Sequence, residues 1–191
     1  PHCMDLVLIA SFLLFMCAFA GVGLASMWVK EDTTDDYLVA SRGMHPALAA
    51  LSDVSTWNSG YMFIGFIGFT FTMGYSIIWI GFGSMLGQII AWIWLYKFIQ
   101  QSASERGVRS LSSLVSEVTG SPDAKLAAIF SILFLAVYAA AQLTSGGKAL
   151  YVMLGWSEVV GILIGFVLVV AYCYAGGIRS SIWTDAAQSS V

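Results

Sequence analysis

The sequence predicts an all-α, polytopic membrane protein, and its composition and the order of its apolar residues lead to that class. Of the 191 residues, 59% are hydrophobic and only 10% are charged, whereas soluble domains carry about 25% charged residues. Residues 6–29 carry no charge and exceed the roughly 20 residues that a membrane-spanning helix needs. Segments of this length span as helices, because a helix pairs its backbone groups within the segment.

The chain is predicted to be a single, truncated transmembrane domain over residues 1–191. Because a spanning helix needs about 20 residues, the last apolar segment is predicted to be cut short and the chain to be a fragment. The predicted cytoplasmic connections are 30–46, 97–124 and 178–181. The predicted spans are 6–29, 47–73, 75–96, 125–147, 159–177 and 182–191.

The basic residues predict the orientation, because Lys and Arg are retained on the cytoplasmic side of a membrane. With the N-terminus outside, every Lys and Arg except Lys148 falls inside. The residues on the cytoplasmic side are then Lys30, Arg42, Lys97, Arg106, Arg109, Lys125 and Arg179.

A polar octet, residues 53–60, interrupts the second apolar segment. It contains Asp53, three hydroxyl side chains, Asn58 and Gly60, and unpaired polar groups in hydrocarbon cost several kcal/mol each. Such side chains compete for backbone hydrogen bonds and glycine loosens the backbone, so we expect the helix to open between Val54 and Gly60. Freed carbonyls at such a break bind cations in transporters. A polar seam that joins two helices is the alternative.

Three further residues are candidates on later spans. Tyr138 and Gln142 lie four residues apart on one face of the fourth span, and the alternative for both is packing between helices. Asp185 lies one turn into the last segment, where an acid marks an ion route or balances the helix dipole.

The sequence excludes a soluble enzyme and a nucleic-acid-binding protein. It has no cluster of nucleophile, base and orienting residue, no phosphate-binding loop and no metal-ligand spacing. It has no basic patch of the kind that binds nucleic acid. No cofactor is expected.

Three segments carry a family resemblance, namely Asp-Asp-Tyr-Leu-Val-Ala-Ser-Arg-Gly-Met at 35–44, residues 51–65, and Gly-Gly-Ile-Arg-Ser-Ser-Ile-Trp-Thr-Asp-Ala-Ala-Gln at 176–188. In order and spacing they resemble the sodium:solute symporter family, which includes sodium-coupled proline, sugar and sialic acid transporters. The resemblance implies an inverted-repeat transporter fold of five plus five core helices behind an extra N-terminal helix. This chain would hold the extra helix, core helices one to four and the start of the fifth.

The resemblance also implies a sodium site. In the family, two backbone carbonyls of the broken first core helix bind sodium, and by motif position these are the carbonyls of Ser55 and Asn58. The eighth core helix supplies the other ligands and is not among these residues. Asp185 corresponds to an acid on the sodium pathway. Asp53 is expected either near the cation path or, as we prefer, at a cytoplasmic gate paired with a loop arginine.

The implied substrate site lies between the broken helix and its neighbours. The candidate residues are Trp57, Ser59, Tyr61, Met62, Tyr138 and Gln142.

The implied function is sodium-coupled symport of a small organic solute by alternating access, in a bacterial inner membrane. The expected partners are sodium, the solute and the lipid bilayer. The alternative is a transporter-like input module of a solute-sensing histidine kinase, whose kinase domain would follow the bundle.

Overall fold

The computed structural model describes residues 2–118 and 120–191, and every regular element among them is helical. This confirms the predicted all-α class. Two π-helical segments, Tyr61–Phe66 and Ala91–Leu95, lie between α-helices. The α-helices are α1 (His2–Ala25), α2 (Thr34–Val39), α3 (Pro46–Trp57), α4 (Ile67–Met73), α5 (Ile77–Ile90), α6 (Tyr96–Arg106), α7 (Leu111–Val115), α8 (Pro122–Leu154) and α9 (Glu158–Ser189).

In the described part of the chain, four helical segments are long and apolar enough to cross a membrane, judged by length and composition. They are Leu6–Trp28, Ile64–Arg106, Pro122–Leu154 and Glu158–Ser189. Helix α3 has only 12 residues, which at about 1.5 Å per residue is too short to cross a hydrocarbon core of about 30 Å.

The chain divides into two compact units, residues 2–62 with 140–191 and residues 63–139. In the first unit, α1 and α9 approach closely at Gly23. A Cβ at this position would lie 2.8 Å from Oγ1 of Thr184, and the Ser180 hydroxyl donates to the Gly23 carbonyl at 2.7 Å. Small residues allow such close contact between helices, and buried hydroxyls add hydrogen bonds across it.

Helix α9 contains a sharp kink at Gly177, where φ is 58° and ψ is −143°. Only glycine adopts these dihedral angles readily. A Cβ at Gly177 would also lie 2.4 Å from the Tyr37 carbonyl oxygen. The kink falls at the turn that the sequence predicts between the last two spans, so each part of α9 has its own direction.

In the second unit, Gly74 separates α4 from α5 with φ of 59° and ψ of −141°, at the turn predicted there. The predicted span ends at residue 96, but the chain stays helical beyond it as α6. The polar residues of α6 are mostly good helix formers. It ends at Gly107 in the left-handed conformation. The Arg106 guanidinium donates to the Leu114 carbonyl at 2.6 Å, which ties α7 to the end of α6.

Candidate functional site

The polar octet contains the expected break in the helix. Pro46 begins α3, and the His45 side chain accepts a hydrogen bond from the backbone N–H of Ala47 at 3.2 Å. The helix ends at Trp57, and Asn58 has φ of −78° and ψ of 52°, outside the helical region. The π-helical segment follows from Tyr61. The prediction that regular helix is lost between Val54 and Gly60 is therefore confirmed.

Helix α8 contacts the break directly. The backbone N–H of Gly60 donates to Oε1 of Gln142 at 2.8 Å. In a continuous helix this N–H would donate to the carbonyl of Thr56, four residues earlier. A Cβ at Gly60 would lie 2.5 Å from the Cβ of Ser145, so only glycine permits this approach. The half-buried Gln142 amide therefore replaces a helical acceptor.

Asp185 lies beside the first half of the broken helix. The Ser52 hydroxyl donates to Oδ2 of Asp185 at 2.7 Å, and the Ser189 hydroxyl donates to the Leu51 carbonyl at 2.8 Å. Ser52 precedes Ser55 by three residues, so both lie on the same face of α3. The structure thus brings a half-buried carboxylate to the part of α3 that leads to the break.

A buried ion pair joins the loop at residues 30–46, which contains α2, to α9. Asp36, whose side chain is 1% exposed, accepts hydrogen bonds from Arg179 through both carboxylate oxygens. It also accepts from the Glu31 backbone N–H at 3.0 Å and from the Ser41 hydroxyl at 3.1 Å. Arg179 donates to the Ala40 carbonyl as well. The loop is therefore fastened two residues beyond the kink at Gly177.

The Arg179 hydrogen bond holds the pKa of Asp36 below its ordinary value of 3.8, against the effect of burial. A depressed pKa means that folding favours the ionised form. The stability that the pair contributes is therefore complete above pH 3.8 and is lost as the pH falls through the lower pKa of the folded protein. The sequence reasoning missed this pair, although Asp36 and Arg179 lie in two of the segments that carry the family resemblance.

The remaining candidate residues differ in their surroundings. Ser55, Ser59 and Asp53 are half-buried, whereas Asn58, Trp57 and Met62 are exposed. The side chain of Tyr61 lies outside the described part of the structure. Tyr138 belongs to the second unit, and its ring is exposed. Of the predicted site residues, the structure therefore brings Gln142 and Asp185 against the octet-bearing segment.

The fold and the site define a multi-pass helical membrane protein with a broken helix, of the kind that transporters use to bind ions and solutes. The model of the sodium:solute symporter family matches residues 37–191, and the chain belongs to this family. The family and the curated relatives are transporters and not enzymes. With its long apolar helices, the chain is an integral, multi-pass membrane protein.

The relatives include a sodium/proline symporter of Escherichia coli, which is 26% identical over 86% of this chain and 34% of its own length. A high-affinity proline transporter of Bacillus subtilis is 29% identical over 85% of this chain and 35% of its own length. The human sodium/myo-inositol cotransporter is 26% identical over 97% of this chain and 25% of its own length. The chain spans about a third of the length of the proline transporters. No solved structure matches it.

Proposed function

We propose that the protein carries out sodium-coupled symport of a small organic solute by alternating access. The observation that supports this function best is the break in the helix between Trp57 and Gly60, packed against α8 at Gln142. A broken helix inside a membrane exposes backbone groups that need partners, and transporters use such groups to bind ions and solutes. The inverted-repeat fold of five plus five helices is part of the same proposal.

In the proposed sodium site, the carbonyls of Ser55 and Asn58 are two of the ligands. The non-helical dihedral angles at Asn58 turn the backbone away from the helical ladder, which supports this assignment. The remaining oxygen ligands come from a part of the family fold outside the third that this chain spans. Asp185 lies on the sodium pathway, and its contact with Ser52 beside Ser55 supports that role. Asp53 belongs to the cytoplasmic gate.

The proposed solute site is lined from the broken helix and from α8. Proline and myo-inositol, after which these relatives are named, are both small and polar, and this supports a small polar solute. The lining candidates in the first unit are Trp57, Ser59, Tyr61, Met62 and Gln142.

Replacing Asp185 by asparagine tests the proposed function. We expect the sodium concentration that gives half-maximal uptake to rise about tenfold, which equals about 1.4 kcal/mol. The physical reason is the loss of a charge on the cation path, since Coulomb attraction at 4 Å lies between about 1 kcal/mol in water and about 4 kcal/mol near a protein surface. The measurement is solute uptake by the full-length protein in proteoliposomes, with proline and myo-inositol as the first solutes, over a range of sodium concentrations.

The matched control is Ser52→Ala, which removes the hydroxyl partner of Asp185 and keeps the charge. We expect it to change the sodium dependence less than Asp185→Asn does. Unchanged sodium dependence in a well-expressed Asp185→Asn protein would reject the role of Asp185. Uptake by the wild-type protein that does not depend on sodium would reject the symport function.

The proposed orientation has the N-terminus outside the inner membrane of a bacterium. In a full-length variant without native cysteines, we expect an impermeant thiol reagent added to intact cells to label a cysteine at position 157 but not one at position 104. Ser157 and Ser104 are both exposed, so burial within the protein would not explain a difference in their labelling. Permeabilised cells provide the control, because both positions should then react. External labelling at position 104 would show that the protein has the opposite orientation.

A further inference from the structure

Gln142, a proposed lining residue of the solute site, also contacts the protein backbone. Its amide oxygen accepts the Gly60 N–H at 2.8 Å, across 82 residues of sequence. Both groups are half-buried. A backbone N–H left without a partner at this depth would carry a desolvation cost that no hydrogen bond offsets. The hydrogen bond therefore stabilises the open conformation of the backbone relative to a regular helix.

The contact also has little freedom to move. Gly60 approaches α8 so closely that a Cβ would lie 2.5 Å from the Ser145 Cβ, 2.8 Å from the Ser145 Oγ and 3.1 Å from Oε1 of Gln142. The backbone at Gly60 is thus held at a fixed distance from one face of α8, on which Gln142 and Ser145 lie three residues apart. Close packing against α8 therefore fixes the position of the break.

We infer that Gln142 is a positioning residue for sodium binding: its amide oxygen holds the helix open at Gly60 and so orients the preceding carbonyls of Ser55 and Asn58. The inference rests on the proposed sodium site. Because the amide oxygen accepts a hydrogen bond from the protein backbone, this positioning role does not depend on the solute. Loss of this oxygen allows the segment 56–60 to return towards helical pairing, in which the carbonyls bond to N–H groups instead of an ion.

The experiment measures equilibrium binding of radioactive sodium to the purified full-length protein in detergent, without solute. Gln142→Leu and Gln142→Met remove the acceptor at nearly constant volume, and Gln142→Glu keeps an acceptor oxygen at the same place. Thr144→Val is the matched control on α8, because the Thr144 hydroxyl donates within its own helix, to the Ala140 carbonyl at 2.9 Å. Size-exclusion chromatography identifies the variants that remain folded.

We expect Gln142→Leu and Gln142→Met to weaken sodium binding about tenfold, the factor that one lost hydrogen bond to a buried donor produces. Gln142→Glu and Thr144→Val should remain within about threefold of the wild type, which is under 1 kcal/mol. If the leucine variant does not fold, the methionine variant, whose side chain is more adaptable, decides the result.

Two results would overturn the inference alone: wild-type affinity in the folded leucine or methionine variant, or an equal loss in the glutamate variant. If the wild-type protein itself binds no sodium, the proposed function fails and the inference fails with it. The two failures are therefore distinguishable.

Discussion

Replacing Arg179 by alanine is expected to lower the free energy of unfolding by about 3–5 kcal/mol, the cost of removing one partner from a buried ion pair. The Asp36 side chain is 1% exposed and would lose the cation that compensates for its burial. Because the loop that contains Asp36 meets α9 beside the kink at Gly177, we also expect the loop to detach. The measurements are denaturation of the purified full-length protein in mixed micelles and proteolysis of the loop.

Two controls separate this effect from a general loss of charge. Lys30→Ala breaks the ion pair with Asp32 in the same loop, at 3.4 Å, but the Asp32 side chain is 91% exposed, so stability should hardly change. The double variant Asp36→Ala/Arg179→Ala removes both charges of the pair and should be more stable than Arg179→Ala alone. Equal stability of Arg179→Ala and the wild type would show that the pair does not fasten the loop.

Replacing Gly60 by alanine is expected to reduce sodium-coupled uptake to about a tenth or less. The added Cβ would lie 2.5 Å from the Ser145 Cβ, and overpacking of this kind costs about 1–3 kcal/mol, where about 1.4 kcal/mol corresponds to a factor of ten. The backbone must move away from α8 and weaken the hydrogen bond to Gln142. The measurement is uptake in proteoliposomes together with sodium binding.

The chain offers both a rescue and a matched control for this substitution. Ser145→Gly removes the two atoms nearest to the new methyl group, at 2.5 and 2.8 Å, so Gly60→Ala/Ser145→Gly should recover most of the lost uptake. Gly68→Ala adds a methyl group where, among the described residues, no atom beyond its chain neighbours and its own helix backbone lies within 4 Å, and it should leave uptake near the wild-type level. A Gly60→Ala protein with normal uptake would show that the close approach of the break to α8 is unnecessary.

Local sequence predicted the break in the helix because its cause is local. The octet places Asp53, hydroxyl side chains, Asn58 and Gly60 in consecutive turns, and each of these residue types weakens regular helical pairing. The turns at Gly74 and Gly177 were predictable for the same reason, since positive φ values favour glycine. The structure adds that the break lies at Asn58 and the residue after it.

The partners of the site residues were not predictable from the sequence. Gln142 was a candidate for the solute site, but the structure pairs its amide oxygen with the backbone of Gly60, 82 positions away. Asp36 and Arg179 are 143 positions apart, and nothing in the pattern of either segment selects the other. Such pairs depend on which helices become neighbours.

The sequence alone determined the all-helical membrane class, the position of the helix break and the family resemblance, because apolar length, backbone preference and motif spacing are properties of continuous segments. Only the tertiary structure decided that α8 meets the break at Gly60, that Asp185 meets Ser52 and that Arg179 meets Asp36. The physical reason is that a buried polar group takes its partner from whichever helix packs against it, and that packing follows from the close approach of small residues on distant parts of the chain.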